Sequence, residues 1–121
     1  MTKEQRIVAF LNATETIKCR INDEDSTSND TTTLYSTGGY GVLADMNQDW
    51  TEDTVQMICR GISASEVNVR MDRVAELLLD NEIEGIEAIN AQSGKIFLRK
   101  DEKARSVYSQ NFIVKYNRLE V

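Results

Sequence analysis

The 121-residue chain contains no histidine and no proline. Without histidine it lacks the commonest general base and the commonest transition-metal ligand. Without proline its turns must rest on Gly, Asn, Asp and Ser. Cysteine is scarce: Cys19 and Cys59 both fall in expected strands and read as small buried hydrophobes. No apolar run approaches the roughly 20 residues of a membrane helix. Ile7-Val-Ala-Phe-Leu11 is too short for the core of a signal peptide, so the chain is expected to fold in a cytoplasm. There the sequons Asn12-Ala-Thr14 and Asn29-Asp-Thr31 carry no glycan. Positive charge is also short. Lys plus Arg number 14 against 20 Asp plus Glu, a net charge of -6. That balance argues against nucleic acid as the default partner, which needs a clustered basic excess.

What is present fits one soluble domain with a real core, at 40% hydrophobic and 28% charged residues. The stretch from Thr54 to Asn81 organises it. Val55, Met57 and Cys59 alternate with Gln56, Ile58 and Arg60, the period of a strand, and Gly61 breaks it. Ser63-Ala-Ser-Glu66 then reads as a capping box. Ala64, Val67, Met71, Val74, Ala75 and Leu78 follow at three- and four-residue steps, one apolar face of a helix. Its polar face carries Asn68, Arg70, Asp72, Arg73 and Glu76.

Around this unit, Thr2 caps a short first helix, with Ile7, Phe10 and Leu11 inward and Lys3, Glu4 and Arg6 outward. A strand is expected within Thr14 to Ile21. Residues 22–33 hold Asp23, Glu24, Asp25 and Asp30 and no apolar side chain, so an exposed acidic loop is expected, ordered by a partner. A strand over Thr32 to Thr37 is ended by Gly38-Gly39-Tyr40-Gly41, and Asp45 to Trp50 forms a second loop. Ile86 to Ala91 and Lys95 to Arg99 suggest a hairpin closed by Gln92-Ser-Gly94. Ser106 to Arg118 is a long last strand with Tyr108, Gln110, Phe112, Val114 and Tyr116 on one side. The fold class is α+β: a mainly antiparallel or mixed sheet, a long amphipathic helix across one face and a short N-terminal helix.

Candidate chemistry does not assemble. Asp45-Met-Asn-Gln-Asp49 begins like a calcium loop, but Trp50 stands where its sharp turn needs glycine and Gln56 where it needs a bidentate glutamate. Gly38-Gly39-Tyr40-Gly41 lacks the spacing and the following helix of a phosphate cradle, so a turn is the better reading. Cys59 has no histidine to activate it. The pairs Asp23/Asp25 and Glu82/Glu84 lie in exposed loops with no apolar shell to raise a pKa. No cofactor, metal or catalytic residue is expected, and a binding or structural part is favoured over an enzyme.

The order of segments resembles a family. Tyr35-Ser-Thr-Gly-Gly39, a tryptophan, Thr54-Val-Gln-Met-Ile-Cys-Arg60 and a helix are similar to the tail terminator (tail completion) proteins of long-tailed bacteriophages, some of them called minor capsid proteins. Asp101-Glu-Lys-Ala-Arg105, Tyr108 and Asn111-Phe-Ile-Val-Lys-Tyr116 resemble the family's ending, with Ala104 where glycine is common. The likeness runs from about Leu34 to Tyr116. It implies a hexameric ring that ends tail-tube polymerisation and meets the head connector at the tail-neck junction of a virion. Its partners would be its own copies, the tail-tube protein and the neck protein, with neither membrane nor sequence-specific nucleic acid. A closed ring needs heterologous contacts. The residues expected there are Gly38, Gly39, Trp50, Gln56, Arg60, Arg70, Arg73, Asp101 and Arg105. Local support, by a turn glycine or an ordinary surface ion pair, is the competing role for each. Another neck, head-closure or tail-tube ring subunit is the alternative, and a host cytosolic ligand-binding module a further one.

Overall fold

A computed structural model describes residues 1–15, 17–25, 27–42 and 50–117, without the side chains of 38–42 and 50. The elements run α1 (Lys3–Thr14), β1 (Cys19–Ile21), β2 (Thr31–Val42), β3 (Trp50–Gly61), α2 (Ala64–Asp80), β4 (Ile86–Ala91), β5 (Ile96–Lys100) and β6 (Ser106–Asn117). The fold is α+β. The strands form one six-stranded sheet in the order β1-β2-β3-β6-β4, with β5 also on β6. β1 joins β2 in parallel and the other pairings are antiparallel, so the sheet is mixed.

Both helices start as their residue types dictate. Thr2 takes the Gln5 amide and Gln5 returns to the Thr2 amide, a complete capping box. At α2 the expected capping box is half made: the Ser63 hydroxyl accepts the Glu66 amide at 3.3 Å, but among the described residues the Glu66 carboxylate does not return to the Ser63 amide. Both helices lie on one face of the sheet. Val67, Met71, Val74, Leu77 and Leu78 of α2, with Ile7 and Leu11 of α1, meet Leu34, Val55, Met57, Cys59, Phe112 and Val114. Burial of each large apolar side chain there contributes about 1.5–3 kcal/mol.

Several boundaries differ from the sequence expectation. The first strand is only Cys19–Ile21, because α1 continues to Thr14. The acidic loop ends at Asp30, and the buried Thr31, Thr32 and Thr33 open β2. Gly38 and Gly39 do not end that strand; it runs on to Val42, with register shifts after Ser36 and after Gly39. The glycines permit irregularity in a continuing strand. Trp50 begins β3 rather than closing a loop. Asp45 to Asp49 lie outside the described residues. Glu4 is buried, not outward, because Ser36 Oγ donates to it at 2.9 Å and Lys3 pairs with it at 2.7 Å.

The largest correction concerns the expected hairpin. β4 and β5 do not pair with each other. β4 pairs Tyr116 to Phe112 of β6, and β5 pairs Ser109 to Ser106, so the two lie end to end along one edge. Gln92 and Ser93 bridge the gap by donating to the Asn111 carbonyl at 2.9 and 3.3 Å. The chain turns instead at Asp101–Arg105. There the Asp101 carboxylate accepts the Lys103 amide, the Arg105 amide and Arg105 Nε at 2.8 to 3.0 Å. Ala104 takes φ 58°, the left-handed region that favours glycine.

Candidate functional site

Four of the residues that the sequence singled out converge at one end of the sheet. Cys59 faces the helices, so by strand alternation Arg60 leaves on the opposite face. Its guanidinium donates to the carbonyls of Asp25 and Ser28. Arg105 donates to the same Ser28 carbonyl at 3.1 Å and to Asp101 at 2.8 Å. Arg60 and Arg105 are each only 6% exposed. From the helix side, Arg70 donates to the carbonyls of Thr31 and Arg60 at 3.1 and 2.7 Å and stands 3.7 Å from the Asp30 carboxylate.

Three arginines therefore grip the acidic segment mainly by its main chain. Gly61 makes the closure possible, since a Cβ there would lie 2.5 Å from Asp30 Oδ1 and 2.7 Å from Val67. The segment continues over the outer face. Burial and then the nearby Glu24 carboxylate push the Tyr35 phenol above its ordinary value. At Asp101 burial pulls the carboxyl up, but the bonds from Arg105 outweigh it and hold the group below its usual range.

The other expected residues do not join this cluster. Gln56 is half-buried on the outer face, between Tyr35 and Asn111 in register. Arg73 is exposed and pairs with Glu15 and Glu76, tying α2 to the end of α1. Gly38 and Gly39 lie in β2 and Trp50 at the start of β3, at the opposite end of the strands from the arginines.

Sequence reasoning missed a run of three exposed apolar residues. Every residue of β5 is exposed. Ile96, Phe97 and Leu98 are 44%, 53% and 41% exposed, side by side on a strand with a neighbour on one side only. Phe97 leans edge-on against Tyr108, with ring centroids 5.3 Å apart. The signal was available: three consecutive apolar residues between Lys95 and Arg99 break the alternation of a half-buried strand.

The opposite edge is handled differently. Asn12 of α1 accepts the Cys19 amide at 2.9 Å and donates to the Cys19 carbonyl at 3.3 Å. One side chain thus occupies both main-chain groups that β1 turns outward at that residue. Beside it lies a cleft of about 480 Å³ between α1 and the acidic segment.

Neither cysteine is poised for chemistry. Burial, then the proximity of Cys59, push the Cys19 thiol up to about 12, and burial raises Cys59 as well. Among the described residues no three Asp, Glu or Cys side chains gather as a metal site. No described helix is long and apolar enough to cross a membrane. The arginine cluster can hold chain segments together through main-chain carbonyls.

No protein-family model matches the chain, and neither does any curated protein sequence. Its fold is similar to that of a chain from the virion of a native gene transfer agent particle, with a TM-score of 0.75. The superposition covers 95% of this chain and 94% of that one at 5% sequence identity. The two share a fold from end to end.

Proposed function

We propose that this chain is a structural subunit of a phage-type virion, and within it a tail terminator. The subunit forms a ring, a hexamer by the family resemblance, that caps the growing tail tube. It then presents its other face to the head connector at the tail-neck junction. It works by contact rather than catalysis, and its partners are its own copies, the tail-tube protein and the neck protein. The observation that carries the virion role is the end-to-end fold likeness to a virion chain at near-complete mutual coverage. The resemblance in the order of segments from about Leu34 to Tyr116 supports the terminator among virion roles.

The test is to mix the purified chain with polymerised tail-tube protein and image the tubes by negative stain. A terminator gives tubes with a cap at one end and stops their elongation. Caps on connector rings with no effect on tube length would assign the chain to the neck instead. That second reading has one observation in its favour: the chain with the shared fold comes from a virion particle as a whole, so the likeness does not single out the terminator. Inert mixtures with both tubes and connectors would overturn the virion reading.

A further inference from the structure

We infer that β5 is one half of a heterologous contact between copies of this chain, and that the other half is the cleft beside β1. This rests on the ring reading above and adds which surfaces meet. Three observations carry it.

The first is position. Residue pairings run across the whole sheet in one row, from Cys19 through Thr32, Cys59 and Tyr108 to Phe97. The next row joins Arg20, Thr33, Ile58, Ser109 and Ile96. β5 and β1 therefore stand at the same level on opposite edges. A subunit placed alongside another in the same orientation brings β5 of one to the cleft of the next. That is the head-to-tail geometry a closed ring requires.

The second is shape. Phe97 and its neighbours project apolar surface from a bare edge, which single chains normally blunt or cover. The cleft of about 480 Å³ is lined in part by Ile17 and Cys19 and is large enough for an aromatic side chain. Asn12 already holds the Cys19 amide and carbonyl, so the contact is made by side chains and not by adding a strand.

The third is charge. Residues 95–103 carry four cations against two carboxylates, in a chain whose net charge is -6. Residues 15–30 carry five carboxylates against two cations. Of those two, Arg20 is already paired with Asp23. Glu15, Asp25 and Asp30 line the cleft; Glu15 and Asp30 already meet Arg73 and Arg70, but Asp25 has no ion-pair partner among the described residues, and neither do Arg99 and Lys100. Unlike charges meet when the edges meet, and like charges would oppose a β5-to-β5 dimer.

The experiment measures the mass of the full chain by light scattering over a range of concentration, with circular dichroism to confirm the fold. Wild type is expected to assemble. Phe97→Asp and the milder Leu98→Ser are expected to keep the spectrum and remain monomeric. Arg99→Glu and Asp25→Lys, each alone, should raise the concentration needed for assembly about threefold to fivefold, as for an exposed ion pair. Mixing these two variants should restore it, because each then offers the other a matched edge. Assembly of Phe97→Asp at wild-type concentrations, or no rescue in the mixture, overturns the pairing. Capped tubes that persist with Phe97→Asp sink this contact but leave the terminator reading standing. A wild-type chain that stays monomeric yet caps tubes assigns β5 to the tube protein and also overturns it. A chain that neither assembles nor caps tubes loses both.

Discussion

The two edges of the sheet solve the same problem in opposite ways. At β1 the outward amide and carbonyl of Cys19 are taken by Asn12, and α1 stands beside the strand. The acidic segment next to it is held by Arg60 and Arg105 through main-chain carbonyls and by Arg70 through the Asp30 carboxylate and the Thr31 carbonyl that follows it. At β5 nothing comparable is present among the described residues. Its outer edge has no strand partner, and its apolar side chains are half in solvent. An unpaired edge is a template for pairing or aggregation unless it is covered. The closed edge is expensive in specific residues, whereas the open one is bare among the described residues. The contrast teaches that Arg60 and Arg105 are turned into the chain, while the exposed edge is marked by apolar residues.

The comparison breaks most visibly if the closed edge is opened. Arg60→Ala removes the guanidinium shared by Asp25 and Ser28, leaving the Asp25 carbonyl without that donor. The expected loss is about 2–3 kcal/mol, as for a charged hydrogen bond in a buried setting, read by urea denaturation. Hydrogen exchange should quicken in the segment from Asp23 to Asp30 and stay unchanged at β5. Exchange rising equally at both edges would show that they are not independent. Asn12→Ala should cost about 1–2 kcal/mol, since it removes the Asn12 donor from the Cys19 carbonyl and leaves the Cys19 amide only its 3.2 Å bond to the Ile17 carbonyl. It should also increase association through β1, so a variant of unchanged mass at high concentration would argue that α1 alone shields the edge.

How much of this was legible in the sequence depends on the range of the interactions. The strand–helix unit from Val55 to Leu78 was readable because periodicity and capping are local, and its apolar face is the core. The pairing of β4 and β5 was not. Two short strands separated by Gln92-Ser-Gly94 look like a hairpin, but both had to be matched to β6, a partner downstream that local pattern does not specify. Arg60 and Arg70 were noticed as polar residues on elements with buried faces, and Arg105 only in the segment resembling the family's ending. That they would be drawn inward to one loop depends on Gly61 and Asp30 meeting at the sheet end, a tertiary fact. Asn12 gave no signal at all, because a mid-helix asparagine reads as a neutral surface position until β1 lies beside it. Ala104 was noted only as a departure from a family glycine, and the structure gives the physical reason that glycine is favoured there.

The turn that holds the open edge gives the finest test. Ala104→Gly relieves the left-handed strain, which outweighs the flexibility glycine adds to the unfolded chain. The expected gain is up to about 1 kcal/mol in stability. A loss on urea denaturation would show that the strain is absorbed elsewhere in the turn. Asp101 supplies the pH dependence. Burial raises its carboxyl, and the stronger opposing bonds from Arg105 and Lys103 set it below its ordinary value in the folded chain. A depressed folded pKa adds stability that is complete above the unfolded value of about 3.9. It fades as pH falls through the folded value. Thermal melts of wild type should therefore fall more steeply below about pH 4 than those of Asp101→Asn, whose amide cannot titrate. The β5–β6 turn should loosen first, because this carboxylate organises it, and the Ser28 end of the clamp should follow, because Arg105 joins the two. Parallel melting curves for the two proteins through that range would place the acid sensitivity elsewhere, with the carboxylates of the clamped segment as the next to test.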